Sequence, residues 1–147
     1  MGRQCCPAAA VRAASAPLSR RGLALPIVQS RLEALPKEKR LAKRREFLRV
    51  YETGRKIFSR YCVLFFAANQ LPHSRVGVTA TKKVGKANVR NRLKRWTREV
   101  YRRQREPLAI DTKTLDVVIN VKPNAADADF GDYQSDLERA LRKIAEA

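Results

Sequence analysis

The chain has 147 residues, one domain's length, and its 32 basic against 14 acidic residues give a formal charge of +18. That length leaves little room for a two-domain enzyme. The longest apolar run, Tyr61–Ala68, is eight residues where a spanning helix needs ~20, and three cysteines (Cys5, Cys6, Cys62) build no disulfide framework. A positive excess of this size repels itself unless a polyanion neutralises it, so nucleic acid is the first candidate partner and an anionic membrane surface the second.

The charge is unevenly spread. Residues 1–36 hold five Arg and one acid; residues 37–105 hold 22 basic residues and four acids; residues 106–147 hold five basic residues and nine acids. The middle segment therefore carries a net charge equal to that of the whole protein. Residues 1–36 are rich in Ala, Ser, Arg and Pro and lack the periodicity to pack a core, so they are expected to be a disordered basic extension. Arg12 interrupts the only Ala-rich run, which disfavours a secretory signal. The composition also suits an organellar transit peptide, but a non-folded extension of a cytoplasmic bacterial protein is the preferred reading. Residues 37–147 are expected to form a single domain.

The elements follow in chain order. Leu41–Thr53 reads as a basic amphipathic helix with Phe47, Val50 and Tyr51 on one face and Gly54 as its stop. A short strand near Lys56–Ser59 is an option. Arg60–Ala68 reads as a strand apolar on both faces, and Asn69–Ser74 as a turn. Arg75–Lys82 alternates as a second clear strand, broken by Gly85, with Asn88 as N-cap for the next helix. In Val89–Arg105, residues Val89, Leu93, Trp96 and Val100 form one stripe, and Arg90, Asn91, Lys94, Arg95, Arg98 and Arg102 cover the opposite side. Leu115–Val121 is a third clear strand. Tyr133–Ala145 is a closing helix, with Asp132 as N-cap. The pattern predicts an α+β fold, a small sandwich in which helices pack on one sheet.

Catalytic chemistry is sparse. His73, the one histidine, falls in a turn. Cys62 falls mid-strand and reads as a small core residue. No CxxC or HxxxH spacing suggests zinc, and the four acids of the basic region (Glu38, Glu46, Glu52, Glu99) are too dispersed for a two-metal nuclease. Asp127, Asp129, Asp132 and Asp136 cluster where the last helix begins, which fits capping and dipole compensation. Binding remains. A helix with a cationic face beside Phe47, Tyr51, Phe65 and Phe66 suits RNA, whose unpaired bases stack on exposed aromatics. Periodicity leaves open whether those four rings are exposed or core.

The segment Arg75–Arg98, RVGVTATKKVGKANVRNRLKRWTR, closely resembles the signature of the bacterial ribonuclease P protein subunit. A strand ends in Lys82-Lys83, Gly85 follows, and a helix opens on Arg90-Asn91-Arg92, with Lys94, Arg95 and Arg98 beyond. Upstream, Arg40-Leu41-x-Lys43, Phe47 and Gly54 match as well, and the resemblance covers roughly residues 38–145. It implies an α/β sandwich with a left-handed βαβ crossover, where general topology rules favour a right-handed one. It implies a protein with no catalytic residues of its own. Such a subunit binds a catalytic RNA that holds Mg²⁺ and removes the 5′ leader of precursor tRNA. The implied partners are that RNA and precursor tRNA, with no membrane and no obligate protein partner.

The resemblance also implies two surfaces. Lys82, Lys83, Arg90, Asn91, Arg92, Lys94, Arg95 and Arg98 would face the catalytic RNA. A cleft of Lys43, Phe47, Tyr51, Arg60, Val63 and Phe65 would hold the single-stranded leader. A ribosomal-type or chaperone RNA-binding protein with no enzymatic partner is the competing reading.

Overall fold

The computed structural model describes residues 35–147, so the reading of the N-terminal extension, Cys5 and Cys6 included, lies outside the described residues. Three helices, α1 (Arg44–Thr53), α2 (Ala87–Gln104) and α3 (Phe130–Glu146), accompany four strands. The strands are β1 (Arg55–Phe58), β2 (Cys62–Ala68), β3 (Arg75–Ala80) and β4 (Leu115–Val121). They form one sheet in the order β1-β2-β4-β3. The β1–β2 and β2–β4 pairs are antiparallel, whereas β3 and β4 are parallel. A parallel pair cannot be closed by a tight turn, and α2 is the crossover that joins them.

Strand alternation gives the sheet two working faces. Cys62, Leu64 and Phe66 of β2, with Val117, Ile119 and Val121 of β4, pack in the main core with Leu93 and Val100 of α2 and Leu137, Leu141 and Ile144 of α3. Among the described residues the other face meets α1 and the extended stretch before it: Leu41, Val50 and Val118 are buried there, while Phe47, Tyr51, Phe65 and Ala67 are half-buried. The strand read as apolar on both faces is covered on both, but the cover is unequal. A ten-residue helix is too short to blanket a four-stranded sheet.

Element boundaries differ from the sequence expectations where pairing competes with local propensity. The first helix starts at Arg44, not Leu41. Arg40 bridges Val76, and the Leu41 N–H donates to the Val76 carbonyl at 3.0 Å, which holds this stretch extended along the outer edge of β3. Lys82 leaves the strand for a one-turn 3-10 segment, Lys82–Val84, anchored by buried Val84. Gly85 then takes φ +136°, where a side chain is strained. The optional first strand is present as β1. The expected N-caps shift too: Lys86 precedes α2 and Asp129 precedes α3. Asn88 lies inside α2, its Oδ1 accepting the Val89 N–H.

Asp136 departs from the capping role expected of it. Its carboxylate is buried under β2 and accepts the backbone N–H of Tyr61 at 3.0 Å and of Arg60 at 3.4 Å. Burial pushes this carboxyl up, but the Tyr61 N–H, the Ser59 hydroxyl and the Arg60 N–H outweigh burial and hold it below its ordinary value. A carboxyl whose folded pKa lies below its unfolded value stabilises the fold above the unfolded pKa, about 3.9. That stability is lost as pH falls through the folded pKa. Asp136→Asn should therefore lower the unfolding free energy at pH 7, and the difference from the parent should shrink as pH falls below about 4. Urea titrations at several pH values check this, and a gap that does not change with pH would refute it.

A second polar chain crosses the core. The Cys62 thiol donates to Tyr133 Oη at 3.3 Å, Tyr133 shares a 2.6 Å hydrogen bond with Thr97, and the Thr97 hydroxyl donates to the Leu93 carbonyl at 2.8 Å. Burial pushes the Cys62 thiol up to about 12, so it stays protonated and unreactive, as its mid-strand position suggested.

Candidate nucleic-acid interface

The α2 helix exists because one stripe of it pays into the core. Leu93, Thr97, Val100 and Tyr101 are buried, and Val89 and Trp96 pack on the same cluster from its margin. The opposite side is left with charge. Asn91, Arg92, Arg95 and Arg98 are exposed and Arg90 and Lys94 half-buried, with Lys82 and Lys83 exposed on the turn before the helix. Among the described residues none of Lys82, Lys83, Arg90, Lys94, Arg95 and Arg98 makes an ion pair.

The helix's single acid is already engaged. Glu99 meets Arg102 at 2.6 Å and Arg103 at 2.7 Å, and these hydrogen bonds hold its carboxyl below the ordinary value. Neutralisation is thus confined to the C-terminal half of α2, and the N-terminal half is a field of mutually repelling cations.

The two arginines of Arg90-Asn91-Arg92 do different things. Arg92 lies 5.1 Å from the centroid of the Trp96 ring and donates to the Ala126 carbonyl at 3.0 Å. Trp96 in turn packs edge-on against Phe130 at 5.3 Å. Arg92 is therefore a fixed, planar cation beside an open hollow of about 560 Å³ that Asn91, Arg95 and Glu99 also line. Arg90 makes neither contact.

The second surface is the thinly covered sheet face. Register places Lys56, Phe65, Val118 and Gly77 in one row and Phe58, Val63, Asn120 and Thr79 in the next. Phe47 can lie flat on this face because Gly77 has no side chain: a Cβ there would stand 2.5 Å from Phe47 Cε1. Tyr51 donates from Oη to Asn120 Oδ1 at 2.8 Å and meets Phe65 edge-on at 4.8 Å. The Lys56 ammonium sits 5.6 Å over the Phe65 ring. The outcome for the four aromatic rings is split. Phe66 is core, and Phe47, Tyr51 and Phe65 form a half-buried aromatic cleft.

One ion cluster sets the position of α1 over this face. Arg75 reaches Asp116 through two bonds, 2.9 and 2.6 Å, and Glu46 through a third at 2.9 Å. Asp116 also accepts from Asn69 at 2.8 Å. Burial pushes the Glu46 carboxyl up, but Arg75 and the Lys43 N–H outweigh it and hold it below its ordinary value. Glu46 also closes the start of α1, accepting the Lys43 N–H at 3.3 Å while its own N–H donates to the Lys43 carbonyl.

Of the six residues expected in the cleft, Phe47, Tyr51, Val63 and Phe65 lie on this face, with Lys43 at the entry to α1. Arg60 does not join them. Its guanidinium lies 5.1 Å over Tyr61, a residue of the main core, and it lines a hollow with Asp136 and Arg139 instead. Arg60 stands just before β2, where the backbone is tied to α3 through Asp136, so the place in the cleft that the resemblance implies for it is not the one its side chain takes. Lys56, Thr79, Asn120 and the Arg75 cluster were missed. Asn120 carried a signal, as a polar residue inside the apolar run Leu115–Val121.

These features define a class: a small α+β sandwich with a largely unneutralised cationic helix outside one face of its sheet and an aromatic cleft on the other. The model of the family described as Ribonuclease P matches residues 35–145. The ribonuclease P protein component of Thermotoga maritima is 33% identical over 116 residues, 76% of this chain and 97% of that protein. That of Dictyoglomus thermophilum is 40% identical over 99 residues, 67% of this chain and 82% of that protein. The solved RNase P protein of Staphylococcus aureus superposes with a TM-score of 0.66 at 29% identity, covering 74% of this chain and 95% of that one. The Thermotoga maritima structure gives 0.64 at 33%, covering 71% and 96%. The chain belongs to the ribonuclease P protein family.

Proposed function

We propose that the cationic face of α2 from Arg90 to Arg98 and the Lys82–Lys83 turn dock this chain onto the catalytic RNA of ribonuclease P, and that the α1 cleft holds the 5′ leader of precursor tRNA. The chain is the RNA-binding protein subunit of that ribonucleoprotein endonuclease, acting in tRNA 5′ maturation. The observation that carries the division of labour is the separation of the two surfaces. A dense cationic face suits a folded RNA's phosphates, and a half-buried aromatic cleft with one cation over it suits a short unpaired strand. A leader held there distinguishes precursor from mature tRNA, because the product lacks those contacts.

Mg²⁺, which the family implies, does not fit this chain's own donors. Among the described residues no group of three or more His, Cys, Asp and Glu could hold a metal ion. Glu46, Glu99, Asp111 and Asp116 are each bonded to a cationic side chain, and Asp136 is spent on backbone N–H groups. The reading therefore gives the metal to the RNA. The protein's part is to screen phosphate repulsion between two polyanions and to grip the leader, which stabilises the RNA–substrate complex at lower Mg²⁺.

The test is cleavage of labelled precursor tRNA at low Mg²⁺ by bacterial catalytic RNA, by this protein, and by both together. Cleavage at the mature 5′ end only in the combined reaction is expected. Tight RNA binding without stimulation would return the chain to a ribosomal-type or chaperone role.

A further inference from the structure

The C-terminal segment 106–147 is acidic on balance, yet three of its five basic residues, Arg139, Arg142 and Lys143, gather near the end of α3. With Arg60 and Phe58 they line an open hollow of about 460 Å³. Phe58 is 69% exposed, the most exposed large hydrophobic side chain among the described residues. It ends β1, the edge strand of the sheet.

Phe58 also belongs to the cleft face. Register sets it in the row of Val63, Asn120 and Thr79, the same row that Tyr51 reaches through Asn120. One ring thus borders both the aromatic face and the basic hollow. Of the two acids in the hollow, Asp136 is committed to the N–H groups of Tyr61 and Arg60, which leaves Glu146 against four cations.

We propose that the leader's path does not end at α1 but continues along this row and over the edge of the sheet. There a base stacks on Phe58, and leader phosphates lie against Arg139, Arg142 and Lys143. The path from Thr79 to Phe58 crosses three strand spacings, about 14 Å, a reach that suits an extended single strand. An exposed ring stacks any base, because every base has a π-face, and the cations beside it neutralise phosphates. A protein partner would call for a contiguous apolar patch, and Phe58 is hemmed by charge. The proposal rests on the leader reading of the cleft.

The experiment uses holoenzyme reconstituted with the full chain and precursor tRNAs whose leaders lengthen one nucleotide at a time. The variant combines Phe58→Ala, Arg139→Ala, Arg142→Ala and Lys143→Ala, four exposed positions whose change leaves the core intact. The parent should gain affinity as the leader lengthens past the cleft. The variant should match it on short leaders and lose that late gain, by about fivefold or more, the low end of one stacked base. A late gain that survives in the variant, or that never occurs in the parent, overturns the proposal. An equal loss at every length, leaderless tRNA included, also overturns it and assigns the patch to the catalytic RNA. Phe65→Ala, run in parallel, separates the two readings. If it weakens short leaders while the quadruple variant keeps the late gain, the cleft stands and its extension falls. If Phe65→Ala leaves short leaders unaffected, the cleft reading itself fails.

Discussion

Arg95→Ala combined with Arg98→Ala should lower the slope of log K against log salt for the catalytic RNA by about 1.4 to 1.8, since each lost phosphate contact removes about 0.7 to 0.9. If parent and variant affinities converge near 1 M salt, the loss at 0.1 M is about 25- to 60-fold. These two side chains are the informative pair because both are exposed and neither makes an ion pair among the described residues. The fold therefore loses little with them and gains relief from like-charge repulsion. The variant should unfold at the same urea concentration as the parent or a slightly higher one. Arg92→Ala makes the contrast: it also removes the guanidinium packed on Trp96 and bonded to Ala126, so stability should fall along with affinity. Filter binding across a salt series decides the matter, and an unchanged slope for the double variant would refute the docking role of this face.

Phe47→Ala with Phe65→Ala should weaken precursor tRNA binding by roughly 5- to 150-fold, the worth of one stacked base at about 1 to 3 kcal/mol, and leave mature tRNA unaffected. Both rings also hold α1 on the sheet, with Phe47 filling the space above Gly77 and Phe65 meeting Tyr51. A folding defect must therefore be separated from a binding defect. Phe47→Leu keeps apolar packing against Leu41 and the sheet while removing the stacking surface, and should weaken precursor alone. Gly77→Ala approaches from below: its Cβ would stand 2.5 Å from the Phe47 ring and displace it without touching any cation. It should reproduce the precursor-specific loss. Equal losses for precursor and mature tRNA in all three variants would show that the cleft is not a leader site.

Periodicity is local, and what it governs was legible before any contact was known. The stripe of Val89, Leu93 and Val100 and the cations opposite it follow from the helical repeat alone, and the apolar residues on both faces of β2 were equally plain, though not whether both faces are covered. The Lys82-Lys83-Gly85-Arg90-Asn91-Arg92 spacing was equally readable, because a strand, a turn and a helix start are consecutive in the chain. Pairing across the sheet was not. Leu41 looks like helix in its own neighbourhood and is drawn out of it by the Val76 carbonyl, 35 residues on. Lys56 reaches the Phe65 ring only because β1 and β2 pair in that register. Asp136 and Asp116 resemble surface acids in the sequence, yet one holds the start of β2 and the other holds Arg75 and so α1. Arg60 is turned from the cleft by the same tie to α3. Composition thus narrowed the partner to a polyanion, and the repeat determined the main elements and the cationic face, since these depend on neighbours within a turn or a strand. The width of the cleft, the cation over it and the rings left half-exposed depend on contacts between residues tens of positions apart, and those only the tertiary structure decides.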